Sequence, residues 1–283
     1  MPYITKPSTT VGASFGRPTT LFVPNSYQSN KKYALIVLLH NYGDTGVGIR
    51  GRLDLNGAGS FDDGVIVFAP NGRITNVNRY FNYWTAPNGD LTSDFEFIPN
   101  SVAEIMSLWP IDPTRVYGWG YSNGAFMIHE LVRRCPTLFT STFTLAGCPL
   151  HADPITALSV PTPALHAHGD ADATVVYGGD PGGNQLPGEL GGHGHDGAVA
   201  AATIRAQWNG FAAPTFASSG PDFDFVTTGS PINECVRTKL VGCTTENAVE
   251  FWQLKSSGHT NSLPSGFAAR YPFAWCEINR RTI

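Results

Sequence analysis

The sequence is poor in charged residues, and this shortage excludes several classes of protein. Only 14% of the 283 residues are charged, and a net charge of −4 gives no basic excess for a nucleic acid partner. No apolar run reaches the roughly 18 residues that a membrane-spanning helix needs, so no membrane-spanning helix is expected. Hydrophobic residues still make up 42% of the chain, and 31 glycines and 21 prolines accompany them. We therefore expect a loop-rich globular protein, a monomer with a single domain over residues 1–283.

Cysteine is also scarce, with five residues and no Cys-x-x-Cys motif. The missing motif argues against zinc or thioredoxin-like chemistry, so we predict no metal site. Cys235 and Cys243 flank a short segment that could form a hairpin, which makes them the best candidates for a disulfide, and five reduced thiols are the alternative. The first residues lack the apolar core of a signal peptide. Few lysines and many small polar residues favour the mature form of a secreted protein over a cytoplasmic one.

Short apolar runs alternate with helical patterns along the chain. This alternation predicts βαβ units and an α/β fold with a mostly parallel sheet. In the first helix the pattern places Ile98, Val102, Ile105 and Met106 on one stripe. A glycine-rich segment over 178–197 is predicted to be an irregular surface excursion near the edge of the sheet where the strands have their carboxyl ends. The predicted strands are 35–39, 65–68, 115–119, 143–146, 163–166 and 249–254, and the predicted helices are 97–108, 123–134 and 198–208.

A Gly-x-Ser-x-Gly motif at 120–124 supplies the candidate nucleophile, Ser122. The same pattern occurs at 12–16 around Ser14, so the pattern alone is weak. Context separates the two, because only Ser122 follows a predicted strand and opens a predicted helix. That strand–turn–helix arrangement is the nucleophile elbow of α/β hydrolases.

A serine hydroxyl needs a base to remove its proton, and the base needs an acid to orient it. In α/β hydrolases both follow the nucleophile, each after a later strand, in the order acid then histidine. Asp170 and Asp172 both follow the strand at 163–166 and compete for the acid role. His259 follows the last strand on a loop of small residues and is the candidate base. His193 and His195 also follow the acid, but no predicted strand holds them.

An early strand at 35–39 leads into the segment His-Asn-Tyr-Gly at 40–43. A loop in this place supplies one backbone donor of the oxyanion hole, and the residue after the nucleophile supplies the other. We therefore predict the amides of Tyr42 and Asn123 as the two donors.

Several motifs together resemble the secreted esterases related to polyhydroxybutyrate depolymerases and feruloyl esterases, over about residues 18–259. The most specific match is Asp-Pro-Thr-Arg-Val-Tyr at 112–117 followed by the motif around Ser122. The resemblance implies an α/β-hydrolase fold without a cofactor. It also implies that Asp172, in His-Gly-Asp-Ala-Asp at 168–172, is the acid, and that His259, in Gly-His-Thr, is the base. Asn41 and Asn261 depart from the family pattern. Further matches lie at 38–43, 68–72 and 94–98.

The resemblance implies a serine carboxylic-ester hydrolase. The expected substrate is a polymeric or aromatic ester: a polyester in the first place, and plant cell-wall esters as the alternative. A binding module without catalysis is a third hypothesis, which the intact Ser122, Asp172 and His259 disfavour. Tyr42, Trp84 and Tyr121 are the candidate substrate contacts. Trp84 could stack on an aryl ester or pack as part of an aromatic lid.

Overall fold

The protein is described by a computed structural model that covers residues 8–53, 55, 64–75, 78–83, 93–151, 154–184, 194–220, 222, 235–259, 267 and 269–282. The strands are β1 (Thr10–Val11), β2 (Thr19–Thr20), β3 (Tyr33–Leu39), β4 (Val65–Phe68), β5 (Arg73–Thr75), β6 (Asn78–Tyr80), β7 (Ile111–Tyr121), β8 (Ser141–Leu145), β9 (Ala164–Gly169), β10 (Gly179–Asp180), β11 (His195–Asp196), β12 (Phe216–Ser218), β13 (Cys235–Leu240) and β14 (Val249–Leu254). The α-helices are α1 (Gly46–Arg52), α2 (Asp94–Leu108), α3 (Asn123–Arg134), α4 (Ala198–Trp208) and α5 (Ala274–Ile278), with a 3₁₀-helix at Ala13–Phe15 and a π-helix at Ala269–Phe273.

One eight-stranded sheet organises the molecule, in the order β12-β13-β14-β9-β8-β7-β3-β4. The pairs from β14 through to β4 are parallel, whereas β12 and β13 join antiparallel at one edge. The six predicted strands all lie in this sheet, which confirms the predicted α/β class. Parallel strands bring their carboxyl ends to one edge, so the loops after β3, β7, β9 and β14 meet there.

The central strand β3 shows why its sequence is a continuous apolar run instead of an alternating one. Its residues alternate between two clusters on opposite faces of the sheet, with Leu35 in one and Ile36 in the other, and all seven are fully buried. Helices α2, α3 and α4 contribute to the cluster around Leu35, while α1 and α5 contribute to the cluster around Ile36. A strand covered on both faces has no exposed side on which to place polar residues.

The predicted helices are confirmed, with one shifted boundary. Helix α2 begins at Asp94, three residues before the predicted start, because the hydroxyl of Ser93 caps it by accepting the amide of Glu96. Met106, expected on the apolar stripe, is 39% exposed. No helix in the described ranges has the length and apolar character needed to cross a membrane.

The predicted disulfide between Cys235 and Cys243 is wrong: all five cysteines carry free thiols. The segment between them is a strand instead of a hairpin. Five steps of extended chain from Cys235 to Leu240 span roughly 17 Å, and Cys243 lies beyond that far end, with its thiol 3.0 Å from the carbonyl of Leu240. A disulfide needs Cα atoms within about 7 Å of each other.

The glycine-rich segment at 178–197 is held at its two ends by a short antiparallel pair, β10 with β11, and residues 185–193 lie outside the described residues. His195 lies in this pair and is fully buried. The expectation that no strand holds His195 is therefore wrong, whereas His193 lies outside the described part of the chain.

Candidate active site

Ser122 lies on a sharp turn between the end of β7 and the start of α3. Its backbone has φ 52° and ψ −119°, a conformation that a non-glycine residue adopts only where the surroundings enforce it. The flanking glycines make the turn possible. A Cβ on Gly120 would lie 2.3 Å from the carbonyl oxygen of Gly124, and a Cβ on Gly124 would lie 2.2 Å from that of Leu39. The predicted strand–turn–helix around Ser122 is confirmed.

The second Gly-x-Ser-x-Gly motif has a different structure. Ser14 lies on the exposed 3₁₀-helix Ala13–Phe15, between Gly12 and Gly16, which both have φ 73°. Neither a central strand nor an α-helix flanks it. The two motifs share letters and not geometry, as their sequence contexts predicted.

Three side chains from three different loops form a continuous hydrogen-bonded chain. The hydroxyl of Ser122 lies 2.9 Å from Nε2 of His259, and Nδ1 of His259 lies 2.8 Å from Oδ2 of Asp172. A carboxylate can only accept, so Nδ1 donates to Asp172 and Nε2 remains as the acceptor for the serine proton. The structure thus brings together the three residues predicted as nucleophile, base and acid.

Asp172 is held as a carboxylate by several donors. Its side chain has no exposed surface, and Oδ1 accepts the amides of Thr174 and Val175 at 2.9 Å each. Burial by itself would raise the pKa of Asp172, but hydrogen bonds from His168 and His259 outweigh burial and lower it well below the usual range. Asp172 therefore stays ionised beside His259.

The competing aspartate, Asp170, has other partners. It accepts the amide of Ser256 at 2.7 Å and the side-chain amide of Gln253 at 3.2 Å, and Lys255 lies 3.7 Å away. These groups belong to the end of β14 and the turn after it. Asp170 therefore fastens the start of the loop that carries His259, and Asp172 alone of the two contacts the imidazole.

Tyr121 contacts both the ring and the backbone of His259, the predicted base. Its ring stacks on the imidazole of His259 with centroids 5.4 Å apart, and its hydroxyl donates to the backbone carbonyl of His259. Tyr121 is only 3% exposed. These contacts give it a positioning role that the sequence reasoning missed, and its predicted contact with substrate stays a prediction.

The predicted oxyanion loop is fixed by hydrogen bonds to the next segment of chain. Nε2 of His40 accepts the amide of Gly72 at 2.8 Å, so Nδ1 carries the proton and donates to the carbonyl of Asn41. Gly43 has φ 76°, and its amide donates to the carbonyl of Arg79 at 2.8 Å. Burial lowers the pKa of His40 to about 4, so the imidazole is neutral and can accept at physiological pH.

The second predicted donor residue, Asn123, is clamped by its side chain. Oδ1 accepts the amide of Phe81 at 2.7 Å, and Nδ2 donates to the carbonyl of Phe81 at 2.9 Å. Tyr42 stacks on Tyr80 at 5.9 Å, next to Phe81 in the chain. The segment 79–81 thus holds both candidate donor residues, although the role of their amides in an oxyanion hole stays a prediction.

Comparisons with known proteins agree with this geometry at the level of the fold. The chain matches no protein-family model and no curated protein. Among solved structures, an acetyl xylan esterase from Aspergillus awamori matches with a TM-score of 0.64 at 15% identity, over 94% of this chain and 95% of that one. The chain has an α/β-hydrolase fold. The SOBER1 protein of Arabidopsis thaliana has a TM-score of 0.48 at 14% identity, over 87% of this chain and 98% of that one, a score too low to carry an argument.

A second histidine, His168, contacts Asp172 in this α/β-hydrolase fold, and the sequence analysis assigned it no role. Nε2 of His168 lies 2.8 Å from the carbonyl of Val175 and 3.3 Å from Oδ2 of Asp172, so this nitrogen carries the proton. Nδ1 then accepts from the thiol of Cys148, 3.8 Å away. The four-residue spacing between His168 and Asp172, directly after a strand, is the sequence signal that could have found this contact.

The same buried region contains a possible metal-binding set. Ligand atoms of Cys148, His166 and His168 lie within 4.8 Å of one another. The His168 nitrogens make the bonds just described, and Nδ1 of His166 contacts the hydroxyl of Thr144 at 3.0 Å. Because these contacts already fix His168 for its role beside Asp172, the set is accounted for as a hydrogen-bonded network. The predicted absence of a metal stays a prediction.

Trp84, a predicted substrate contact, lies outside the described residues.

Proposed function

We propose that this chain is a serine carboxylic-ester hydrolase that works through an acyl-enzyme. The contact chain from Ser122 through His259 to Asp172 carries this proposal, because it supplies a nucleophile, a base and an orienting acid at hydrogen-bond distances. A module that only binds ligand has no need for a strained serine aligned with an imidazole and a buried carboxylate.

The reaction would proceed in two acyl transfers. His259 takes the proton of Ser122 as its oxygen attacks the ester carbonyl, and the imidazolium then gives that proton to the leaving alcohol. Water next attacks the acyl-serine, with His259 again as the base, and releases the carboxylic acid. Asp172 stabilises the imidazolium in both steps. The amides of Tyr42 and Asn123 would donate to the oxyanion of each tetrahedral intermediate.

Two classes of ester are candidates for the substrate. The motif resemblance favours a polyester, either a polyhydroxyalkanoate or an aromatic polyester. The match to an acetyl xylan esterase over nearly the full length of both chains favours the alternative, an ester carried on plant cell-wall polysaccharide. Both candidate substrates are polymers. In either case the ester would be bound at the edge of the sheet where the loops that contain Tyr42 and His259 lie.

The activity is tested by replacing each of the two motif serines. We expect Ser122→Ala to lower kcat for 4-nitrophenyl butyrate by at least about 10⁴-fold. Ser14→Ala is the matched control, because it removes the serine of the same motif on the exposed 3₁₀-helix and should leave kcat unchanged. Equal rates for wild type and Ser122→Ala, or no turnover by the wild type, would refute the proposal.

The substrate class is tested with three materials under one set of conditions. Release of acid is measured from poly(hydroxybutyrate) film, from acetylated xylan and from methyl ferulate. Erosion of the film with slow release from the other two supports the polyester. Rapid release from xylan or ferulate, with an intact film, would instead select the cell-wall ester.

A further inference from the structure

A cavity of about 430 Å³ opens beside the candidate oxyanion loop, and its lining is rich in arginine. Of the described residues that line it, Arg17, Arg73 and Arg79 are cationic and none is acidic. The chain as a whole has 22 acidic residues against 18 lysines and arginines, so the cavity departs locally from the composition of the protein. Asn71 and Gly72 complete one wall.

The cavity lies at the same edge of the sheet as the catalytic residues. Leu39 pairs with Gly120 and Val37 pairs with Phe68, so the loops after β3, β7 and β4 leave the sheet side by side. Gly72, in the cavity wall, donates its amide to His40 in the oxyanion loop. Strands β7 and β4 lie on either side of β3, two strand spacings of about 4.8 Å apart.

The positive charges in this region act on common neighbours. Arg17 binds the buried carboxylate of Asp94 and the carbonyl of Asn71, so it is fixed in the wall. Besides burial, which dominates, the charges of Arg79 and Arg17 contribute to the lowered pKa of His40. Nε of Arg79 is buried and has no hydrogen-bond partner among the residues that the structure describes. A buried guanidinium nitrogen without an acceptor is costly, and an anionic ligand would supply one.

We propose that this arginine cavity binds a carboxylate carried by the substrate polymer. The inference rests on the proposed hydrolase function for its biological meaning, although the binding itself does not. Arginine suits this task because its planar, permanently charged fork pairs with a carboxylate through two parallel hydrogen bonds. The carboxylate could come from an acidic sugar beside the ester of a polysaccharide or from the free acid end of a polyester.

The test is calorimetric titration of the protein with four small probes. Glucuronate represents the acidic sugar, 3-hydroxybutyrate represents the polyester end, inorganic phosphate tests for a general anion site, and methyl xyloside is the neutral control. We expect glucuronate or 3-hydroxybutyrate to bind and methyl xyloside not to bind. Arg73→Gln and Arg79→Gln should each weaken that binding by about 10–100-fold, the loss of charge-assisted hydrogen bonds.

Lys32→Gln is the control for net charge. Lys32 is exposed and lies at the amino end of β3, away from the cavity at the carboxyl ends of the strands, so this variant should bind like wild type. Thermal unfolding of each variant checks folding, and exposed Arg73 provides a reading if Arg79→Gln fails to fold. No carboxylate binding, phosphate binding alone, or equal weakening by Lys32→Gln would overturn the inference. Hydrolysis of 4-nitrophenyl butyrate by the wild type is measured separately. Activity without carboxylate binding would refute only the arginine site, whereas no activity would refute the proposed hydrolase function.

Discussion

The two sides of the candidate active site are built in different ways. On the acid–base side, side chains contact one another as well as backbone: His259 contacts Asp172, Asp172 contacts His168, and Asp172 also accepts two backbone amides. On the oxyanion side, side chains hold backbone: His40 accepts the amide of Gly72, and Asn123 bonds both backbone groups of Phe81. The first construction fixes protonation states, and the second fixes the path of the chain.

We expect this difference to separate substitutions that affect the catalytic rate from substitutions that affect the choice of substrate. Asp172 and His168 are fully buried on the acid–base side, and its residue types are those that the proposed mechanism demands, so substitutions there should act on kcat. The oxyanion side contains Asn41, which departs from the motif of the esterases that the sequence resembles, and borders the arginine cavity. Substitutions on that side should act on stability, pH response and choice of substrate.

The largest effect is expected from the acid. Asp172→Asn should lower kcat by about 10⁴-fold, because an amide in this place favours the wrong tautomer of His259. Asp170→Asn is the matched control, since it removes the neighbouring carboxylate that fastens the turn at Ser256, and it should retain most of the activity. Steady-state kinetics with 4-nitrophenyl butyrate decide between them. A larger loss for Asp170→Asn would contradict the assignment of the acid.

These two aspartates also show how far the sequence reaches. Ser122 and His259 could be chosen from the sequence alone, because each directly follows a predicted strand. The nucleophile elbow and the alternation of strands and helices are both visible as local sequence patterns. The choice between Asp170 and Asp172 needed a family resemblance, since it depends on which way each side chain turns after β9. The brace from Tyr121 joins residues far apart in the chain and leaves no local pattern.

The disulfide prediction failed for a related reason. The segment between Cys235 and Cys243 was interpreted as a hairpin from its short length alone. Its pairing with β14 makes it a single extended strand, and that pairing is long-range information. Sequence periodicity therefore predicted elements well, and contacts between elements poorly.

A second prediction tests the oxyanion side through pH. His40 has its pKa lowered to about 4 by burial, against 6.5 in an unfolded chain. Between these values the unfolded state binds the proton first, so stability falls as pH drops from about 6.5 to 4, by up to about 3 kcal/mol from this group. His40→Gln should flatten this part of the curve, measured by urea unfolding at pH 7, 5.5 and 4.

The control for this experiment is His151→Gln, because the side chain of His151 is 52% exposed. It should follow the wild-type curve. If His40→Gln also follows it, the lowered pKa of His40 does not govern the acid response.

A third prediction tests the acid–base side through His168. Replacing it with leucine removes a donor to the ionised Asp172, and we expect kcat to fall by about 10–100-fold with little change in KM. His168→Gln keeps a side-chain donor and should recover part of the loss. His166→Leu, equally buried, serves as the control and should lower the melting temperature without lowering kcat. Equal kcat values for the leucine and glutamine variants would reduce His168 to a packing role.

The smallest effect should come from the brace behind the base. Tyr121→Phe keeps the ring stacked on His259 and removes only the hydroxyl that donates to its carbonyl. One neutral hydrogen bond contributes about 0.5–1.5 kcal/mol, so kcat should fall about 2–10-fold. Tyr117→Phe removes a hydroxyl that donates to Glu277 at 2.8 Å, away from the site, and should change stability alone. Because Tyr121 holds backbone by a side chain, as the oxyanion side does, an unchanged kcat would mean that stacking suffices and that only the contacts with Asp172 position the base.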